Sequence, residues 1–289
     1  MDIAAATIDL HVHSNYSDGF LSPAEIVRAA SQLQLYAVAI SDHDNILGYT
    51  EAMKEGQQHP IHVVPAVELS CLWQGQEIHL LGYLFDPNNQ ALVSHCQQVC
   101  DQREQRAHKI LKLLKKQGVS IGIELVKQFS GPGCIGRPHI AQVLIDEGYV
   151  FSFQEAFEKY LGENRSAFVE EQYIEIGPAI RLLKDAGGLA VLAHPGIYQW
   201  NELLPYCIKL ELDGVEVMHP RHDFTLQNIL TQIAESKNLV RTGGSDFHGR
   251  KYYEPTLGTM PVPAIWYTAM LDRVQSFHDS VHAEGEKIF

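Results

Sequence analysis

Residues 6–13, ATIDLHVH, read as a β-strand that ends in two histidines, His11 and His13. Two residues apart on a strand, both side chains point to the same face. The turn that follows, SNYSDG (14–19), adds Asp18. Ser22-Pro23-Ala24-Glu25 is then a capping box with proline at the first helical position, opening a helix that runs to about Leu35. Outward from this unit the pattern repeats: YAVAIS (36–41), IHVVPAVELS (61–70) and EIHLLGYLF (77–85) are buried strands. Continuous apolar β runs separated by helices indicate a parallel or mixed sheet covered on both faces.

From about Gln90 to Gly118 a long polar helix interrupts this alternation. It carries Arg103, Arg106, Lys109, Lys112, Lys115 and Lys116 at helical spacings, for which a solvated face is expected, with a substrate-facing basic strip as the alternative. Residues 98–171, including the turn Ser130-Gly131-Pro132-Gly133, are read as a helical insertion. Alternation then resumes with a helix at 176–188, the strand LAVL (189–192), the strand DGVEVMH (213–219), a helix from Phe224 to Lys237 and a last strand within 238–248. Such units, with polar groups at the strand ends, match an α/β barrel of the TIM type, whose active sites gather at the C-terminal ends of the strands. The barrel comprises residues 1–97 and 172–289.

Composition narrows the function. Of 289 residues, Lys+Arg are 22 and Asp+Glu 35, a net charge of −13 that argues against broad binding to duplex nucleic acid. A local cluster of metal ions can still reverse the field within one cleft, so a nucleotide substrate remains open. No apolar run reaches the length of a membrane span. The start of the chain lacks a basic and apolar leader, so a cytoplasmic location is expected. The five cysteines are scattered without a CxxC and are expected to be reduced, mostly buried thiols. The 15 histidines need placing, since histidine is the commonest metal ligand.

Six of them fall in or at the ends of strands. His43 follows YAVAI, Glu68 ends the next strand, His79 sits in the one after, and His194 follows LAVL. Asp246 and His248 repeat the two-residue spacing behind the paired glycines Gly243 and Gly244. Taken singly, each cluster has an ordinary structural explanation: a lone pair of histidines is often incidental, and a lone strand-end aspartate often caps a helix. Taken together, six buried histidines without a metal would each need a hydrogen-bond partner at considerable desolvation cost. With His11, His13 and Asp18 the set is six histidines and three carboxylates, ligand types that suit manganese, iron or zinc.

The motifs DLHVHSNYSDG, ISDHDN, VPAVELS, EIHLLGY, LAHP and GGSDFHG resemble, in order, those of the PHP (polymerase and histidinol phosphatase) superfamily. Within the insertion, CIGRPHIAQVL and FEKYLGENRSAFV resemble one branch, the TrpH-like nucleoside 3′,5′-bisphosphate phosphatases related to a 5′→3′ exoribonuclease. The resemblance implies a distorted (β/α)7 TIM-like barrel (the PHP fold) with three divalent metal ions, manganese first and iron or zinc as alternatives. By motif, His11, His13, Glu68 and Asp246 hold one ion; Glu68 bridges to a second held with His79 and His194; Asp18, His43 and His248 hold the third. Asp42 is expected to orient an imidazole, and Asp44 either to do likewise or to cap a helix.

Such a site implies a metal-dependent phosphohydrolase in which a metal-bridging hydroxide attacks a phosphate monoester in line, with no serine or cysteine nucleophile. His222 is the expected general acid and His219 its competitor, a structural role being the alternative for either. A bisphosphate needs a second anion site. A helix starting near Pro138 offers its N-terminus, with Arg137 and His139 beside it and Lys159, Arg165 and Arg221 as further cations. The expected substrate is a nucleoside 3′,5′-bisphosphate, with 5′→3′ trimming of short 5′-phosphorylated RNA as a second activity. Histidinol phosphate phosphatase and a non-catalytic metal-bound binding module are the alternatives. No membrane, duplex DNA or obligate protein partner is expected; a polymerase-associated proofreading role would require one.

Overall fold

The computed structural model describes residues 3–249 and 255–285, with side chains described through Phe277. Its first unit forms as expected. Strand β1 (Thr7–Val12) is buried beyond Thr7. Ser22 and Glu25 close a reciprocal capping box, and Pro23 starts helix α1 (Pro23–Gln32). Strand β2 (Ala37–Ile40), helix α2 (Gly48–Gly56), strand β3 (His62–Trp73) and strand β4 (Gln76–Tyr83) follow.

Strands β3 and β4 form one antiparallel hairpin, paired from Ala66–Tyr83 to Trp73–Gln76. Gln74 and Gly75 both take positive φ, 49° and 79°, which is the conformation of a two-residue turn matched to strand twist. A connection this short forces β4 to run against β3, since a parallel neighbour would need a crossover of a dozen residues.

After the helices of the central segment come the short strand β5 (Ile174–Glu175), α7 (Ile176–Asp185), β6 (Leu189–Leu192), α8 (Trp200–Lys209), β7 (Gly214–Met218), α9 (Phe224–Ser236), β8 (Val240–Gly243), β9 (Val262–Pro263) and α10 (Ala264–Gly285). The sheet order is β8-β7-β6-β4-β3-β2-β1-β9, with β5 on β3. All neighbours are parallel except at β4 and β9. The two sides meet where the chain leaves β8: the Asp246 N–H donates to the His11 carbonyl at 2.8 Å, and the His13 N–H to that of Phe247 at 2.8 Å. A Cβ on Gly244 would lie 2.3 Å from the His11 nitrogen, so only glycine permits this approach. The result is a nearly closed barrel-like sheet wrapped by helices, the distorted barrel expected.

Helix α3 (Gln90–Lys116) links two hydrophobic clusters. Leu92 and Cys96 pack into the barrel core, whereas Ala107, Ile110, Leu111 and Leu114 pack with α4 (Ile123–Ser130), α5 (Arg137–Asp146) and α6 (Phe153–Ala156), which continues as a π-helical turn to Leu161. The cysteines differ from expectation. Cys71, Cys96 and Cys207 are free and buried, but Cys100 and Cys134 are joined, tying α3 to the loop before α5. Their 34-residue separation hid a pairing that only the fold of the helical segment creates. No described helix is long and apolar enough to cross a membrane.

Candidate metal centre

Glu68 stands at the centre of the barrel mouth, 1% exposed. Its Oε1 lies 2.9 Å from His79 Nδ1 and 2.9 Å from His194 Nε2. Its Oε2 lies 3.2 Å from His11 Nε2, 3.2 Å from His13 Nε2 and 3.3 Å from His43 Nδ1. Asp246 faces His13 Nε2 at 3.2 Å and His11 Nε2 at 3.5 Å, and Asp18 faces His248 Nε2 at 3.3 Å. All nine residues named from strand ends therefore converge. Four overlapping groups bring candidate ligand atoms close together: His13–Asp18–His43–His248, His11–Glu68–His194, His43–Glu68–His79 and His11–His219–Asp246. The grouping differs from the expected sets: His13 falls with Asp18, His43 and His248, and His194 with His11. His43 reaches Glu68 as well as Asp18, and His219 joins Asp246.

The backbone delivers these groups at a conformational cost. His194 and Asp246 take φ of 26° and 53°, the left-handed region that disfavours side chains and is typical of functional sites.

Partners behind the rings set the tautomers. His11 Nδ1 lies 2.9 Å from Glu216 Oε1, and His248 Nδ1 lies 2.9 Å from the Asp246 carbonyl, so both donate Nδ1–H backward and turn an Nε2 lone pair inward. His219 is the reverse. Its Nδ1 accepts the Arg221 N–H at 3.1 Å, so the neutral ring carries its proton on Nε2, 3.4 Å from Asp246 Oδ2. His13 Nε2 and His43 Nδ1 are buried and make no hydrogen bond, though Glu68 is close to each. Ring nitrogens converging on shared carboxylates fit divalent cations once the rings are deprotonated.

Burial opposes charge on His13 and His79, but the flanking carboxylates outweigh it and push each up to about 10: Asp246 and Glu68 for His13, Glu68 and Glu77 for His79. Burial pushes His43 down to about 3, with Glu68 only partly offsetting it. Glu68 resists burial through His11, His43 and His79, which hold it well below the usual carboxylate range. Glu216 is held at about 2, its burial overcome chiefly by His11.

Two supporting carboxylates went unread in the sequence. Glu216 also accepts the His194 N–H at 2.7 Å, and fully buried Asp9 accepts Ser245 Oγ–H at 2.6 Å and the Gly258 N–H at 2.8 Å. Their only signal is an acid inside an apolar strand, in TIDLHV and GVEVM.

Other expected residues lie elsewhere. Among the described residues Asp42 makes no hydrogen bond to an imidazole; it accepts Ser14 N–H (2.7 Å), Ser14 Oγ–H and Ser17 Oγ–H (both 2.6 Å), so it braces the turn beneath His13. Asp44 caps no helix: it accepts the Ser70 N–H at 2.8 Å and pairs with Arg103. His222 turns both nitrogens to backbone, Nδ1 to the Val217 carbonyl at 2.9 Å and Nε2 to the Gly196 N–H at 3.1 Å, leaving neither for a leaving group. Lys159 lies exposed over the Tyr160 ring, and Arg165 is exposed too; neither lines the cavities beside the cluster. Arg221 does line the metal pocket, with His219.

A cavity of about 140 Å³ adjoins the cluster, sharing His43, His79 and Asp18 and bounded by Arg103, Arg106, Arg137 and His139. Arg103 and Arg106 are thus not a solvated face. Arg103 donates to Asp44, Ser70 and Glu171, and Arg106, 7% exposed, donates to Glu171 and the Val169 carbonyl. Arg137 is held loosely by Glu77 at 3.4 Å and lies over the Phe157 ring. His139 Nδ1 accepts the Gly136 N–H at 2.8 Å at the start of α5.

Residues 9–179 match the family described as PHP domain. The 5′-3′ exoribonuclease Rnm of Escherichia coli (strain K12) is 30% identical over 277 residues, covering 91% of this chain and 94% of that one. The 3′,5′-nucleoside bisphosphate phosphatase of Chromobacterium violaceum is 30% identical over 249 residues, covering 84% and 87%. A crystal structure from Bifidobacterium adolescentis, described as a metal-dependent phosphoesterase, superposes with a TM-score of 0.85 at 28% identity over 93% of this chain and 96% of that one. With the histidine–carboxylate cluster at its barrel mouth, the chain belongs to the PHP family and is a metal-dependent phosphoesterase.

Proposed function

We propose that the chain hydrolyses a phosphate monoester of nucleoside 3′,5′-bisphosphates, using three divalent cations, manganese by preference. His11, His13, Asp18, His43, Glu68, His79, His194, Asp246 and His248 hold them. The carrying observation is the arginine-lined cavity that shares His43, His79 and Asp18 with the cluster. One phosphate meets the cations while the second reaches Arg137 and the N-terminus of α5. When bound, the cations acidify water and draw charge from phosphoryl oxygens. The chain's own groups do the rest. Glu216 and the Asp246 carbonyl hold His11 and His248 in ligating tautomers, His219 presents Nε2–H beside Arg221 toward the leaving oxygen, and the helices of 98–171 cap the mouth.

A groove of about 1110 Å³ continues past Arg106 and Arg137 along Phe168 and Tyr173, and it supports a second reading, trimming of short 5′-phosphorylated RNA. Glu77, Glu163, Glu170 and Glu171 line it too and oppose a long polyanion.

The test is phosphate release from adenosine 3′,5′-bisphosphate, AMP, histidinol phosphate and short 5′-phosphorylated RNA, with Mn²⁺ and with EDTA. EDTA-sensitive preference for the bisphosphate is expected. Preference for histidinol phosphate would overturn the second phosphate site. A chain that holds metal yet turns over none of these would be a binding module.

A further inference from the structure

A second cavity, about 200 Å³, lies across Asp18 and His139 from the arginine-lined one. Phe20 enters it from the loop after β1, Phe129 from the end of α4 and Phe153 from the start of α6. Asn15, in the same wall, holds its amide oxygen buried without a hydrogen-bond partner. Among the described residues the lining contains no lysine or arginine, in contrast to the neighbouring cavity, and Asp18 stands on its rim.

These features select among ligands. A further phosphate meets the Asp18 carboxylate and, among the described residues, no lysine or arginine to offset it. A simple apolar group would leave the Asn15 oxygen unpaired, at the desolvation cost of a buried acceptor. A planar heterocycle meets both requirements: its face packs on phenylalanine rings, and an N–H on its edge satisfies the amide. The two cavities share the Asp18 and Pro138–His139 wall, so one small molecule with phosphates on one side can place a ring on the other.

We propose that the cavity of Asn15, Phe20, Phe129 and Phe153 is a nucleobase pocket that makes the enzyme prefer base-bearing substrates. The proposal rests on the nucleoside bisphosphate reading and assigns the residues that recognise the nucleoside. Stacking of one base on an aromatic side chain carries enough energy to change affinity by about ten-fold or more.

The experiment compares kcat/KM for adenosine 3′,5′-bisphosphate with that for ribose 3,5-bisphosphate, which lacks the base, on the manganese-loaded full chain. The wild type is expected to prefer the base-bearing substrate by about ten-fold or more. Phe20→Ala and Asn15→Ala should each cut that ratio by about three-fold or more. Phe20 is 49% exposed, so its truncation spares the core. Equal wild-type turnover of the two bisphosphates, or variants that retain the wild-type ratio, would overturn the nucleobase pocket and leave the phosphatase reading standing. Failure of the wild type to hydrolyse either bisphosphate would overturn that reading and this one with it.

Discussion

The barrel mouth and the helical side facing it bury charge in opposite ways. At the mouth, carboxylates and imidazoles crowd together: Glu68 alone meets five rings, and among the described residues the ion-pair partners of Glu68 and Asp246 are all imidazoles. Toward the helical side three carboxylates are met by arginines: Asp44 has Arg103, Glu171 has Arg103 and Arg106, and Glu77 has Arg137. The first arrangement is completed by cations from solution. The second is neutral on its own, so a substrate anion there must compete with a resident carboxylate, and Arg137, whose pair is loose, gives way first. Under the proposed function the barrel supplies chemistry and the helical side supplies selection, which separates the expected effects of their variants.

Glu68→Gln keeps shape and removes the central charge; bound metal should fall and kcat drop by about a thousand-fold or more, read by metal analysis and turnover. A fully loaded, active variant would break the contrast. Glu216→Gln should weaken metal affinity or activity by roughly 10- to 100-fold through the loosened His11 ring, measured as the Mn²⁺ concentration for half-maximal rate. Arg137→Ala should raise KM for the bisphosphate about ten-fold and spare a simple monoester, since a charged hydrogen bond is lost on one substrate only. Equal losses on both would place Arg137 with the barrel's chemistry instead.

Proton competition sharpens the same contrast. Without cations, His13 and His79 titrate near 10 rather than at their ordinary value, so the stability they contribute is present below about pH 6.5 and lost as pH rises through about 10. Cations need these rings deprotonated. The Tm of the cation-free protein should therefore fall between about pH 7 and 9 while the gain on adding Mn²⁺ grows. A gain independent of pH would show that these rings are not the ones displaced. The smallest effect on rate is expected for His222→Ala, which loses two contacts to backbone. Stability should fall by about 1–3 kcal/mol in denaturant unfolding, with kcat changed by no more than about two-fold. A large loss of kcat would return His222 to the reaction.

Legibility in the sequence followed the range of each interaction. His11 and His13 share a strand face through local periodicity, and the capping box at Ser22 spans three residues, so both were readable. The hairpin of β3 and β4 turns on Gln74 and Gly75, and the reading of two separate strands missed it. The arginines of α3 resembled a solvated face because helical spacing says which residues share a side, not what covers it. Their partners Asp44 and Glu171 lie 59 and 65 residues away. His222 and His219 sit three residues apart with equal chemical promise; only the positions of Val217, Gly196 and Asp246 separate a backbone clip from a ring facing the site.

The sequence by itself determined the alternation of strands and helices, the inward faces and the ligand types at the strand ends. Those features depend on periodicity and on which atoms can donate lone pairs. The tertiary structure decided which ring nitrogen faces inward, which cations are neutralised and which cavities adjoin the cluster. Those depend on distances between segments far apart in the chain, where a few ångströms separate an ion pair from a free charge and a lone pair from a proton.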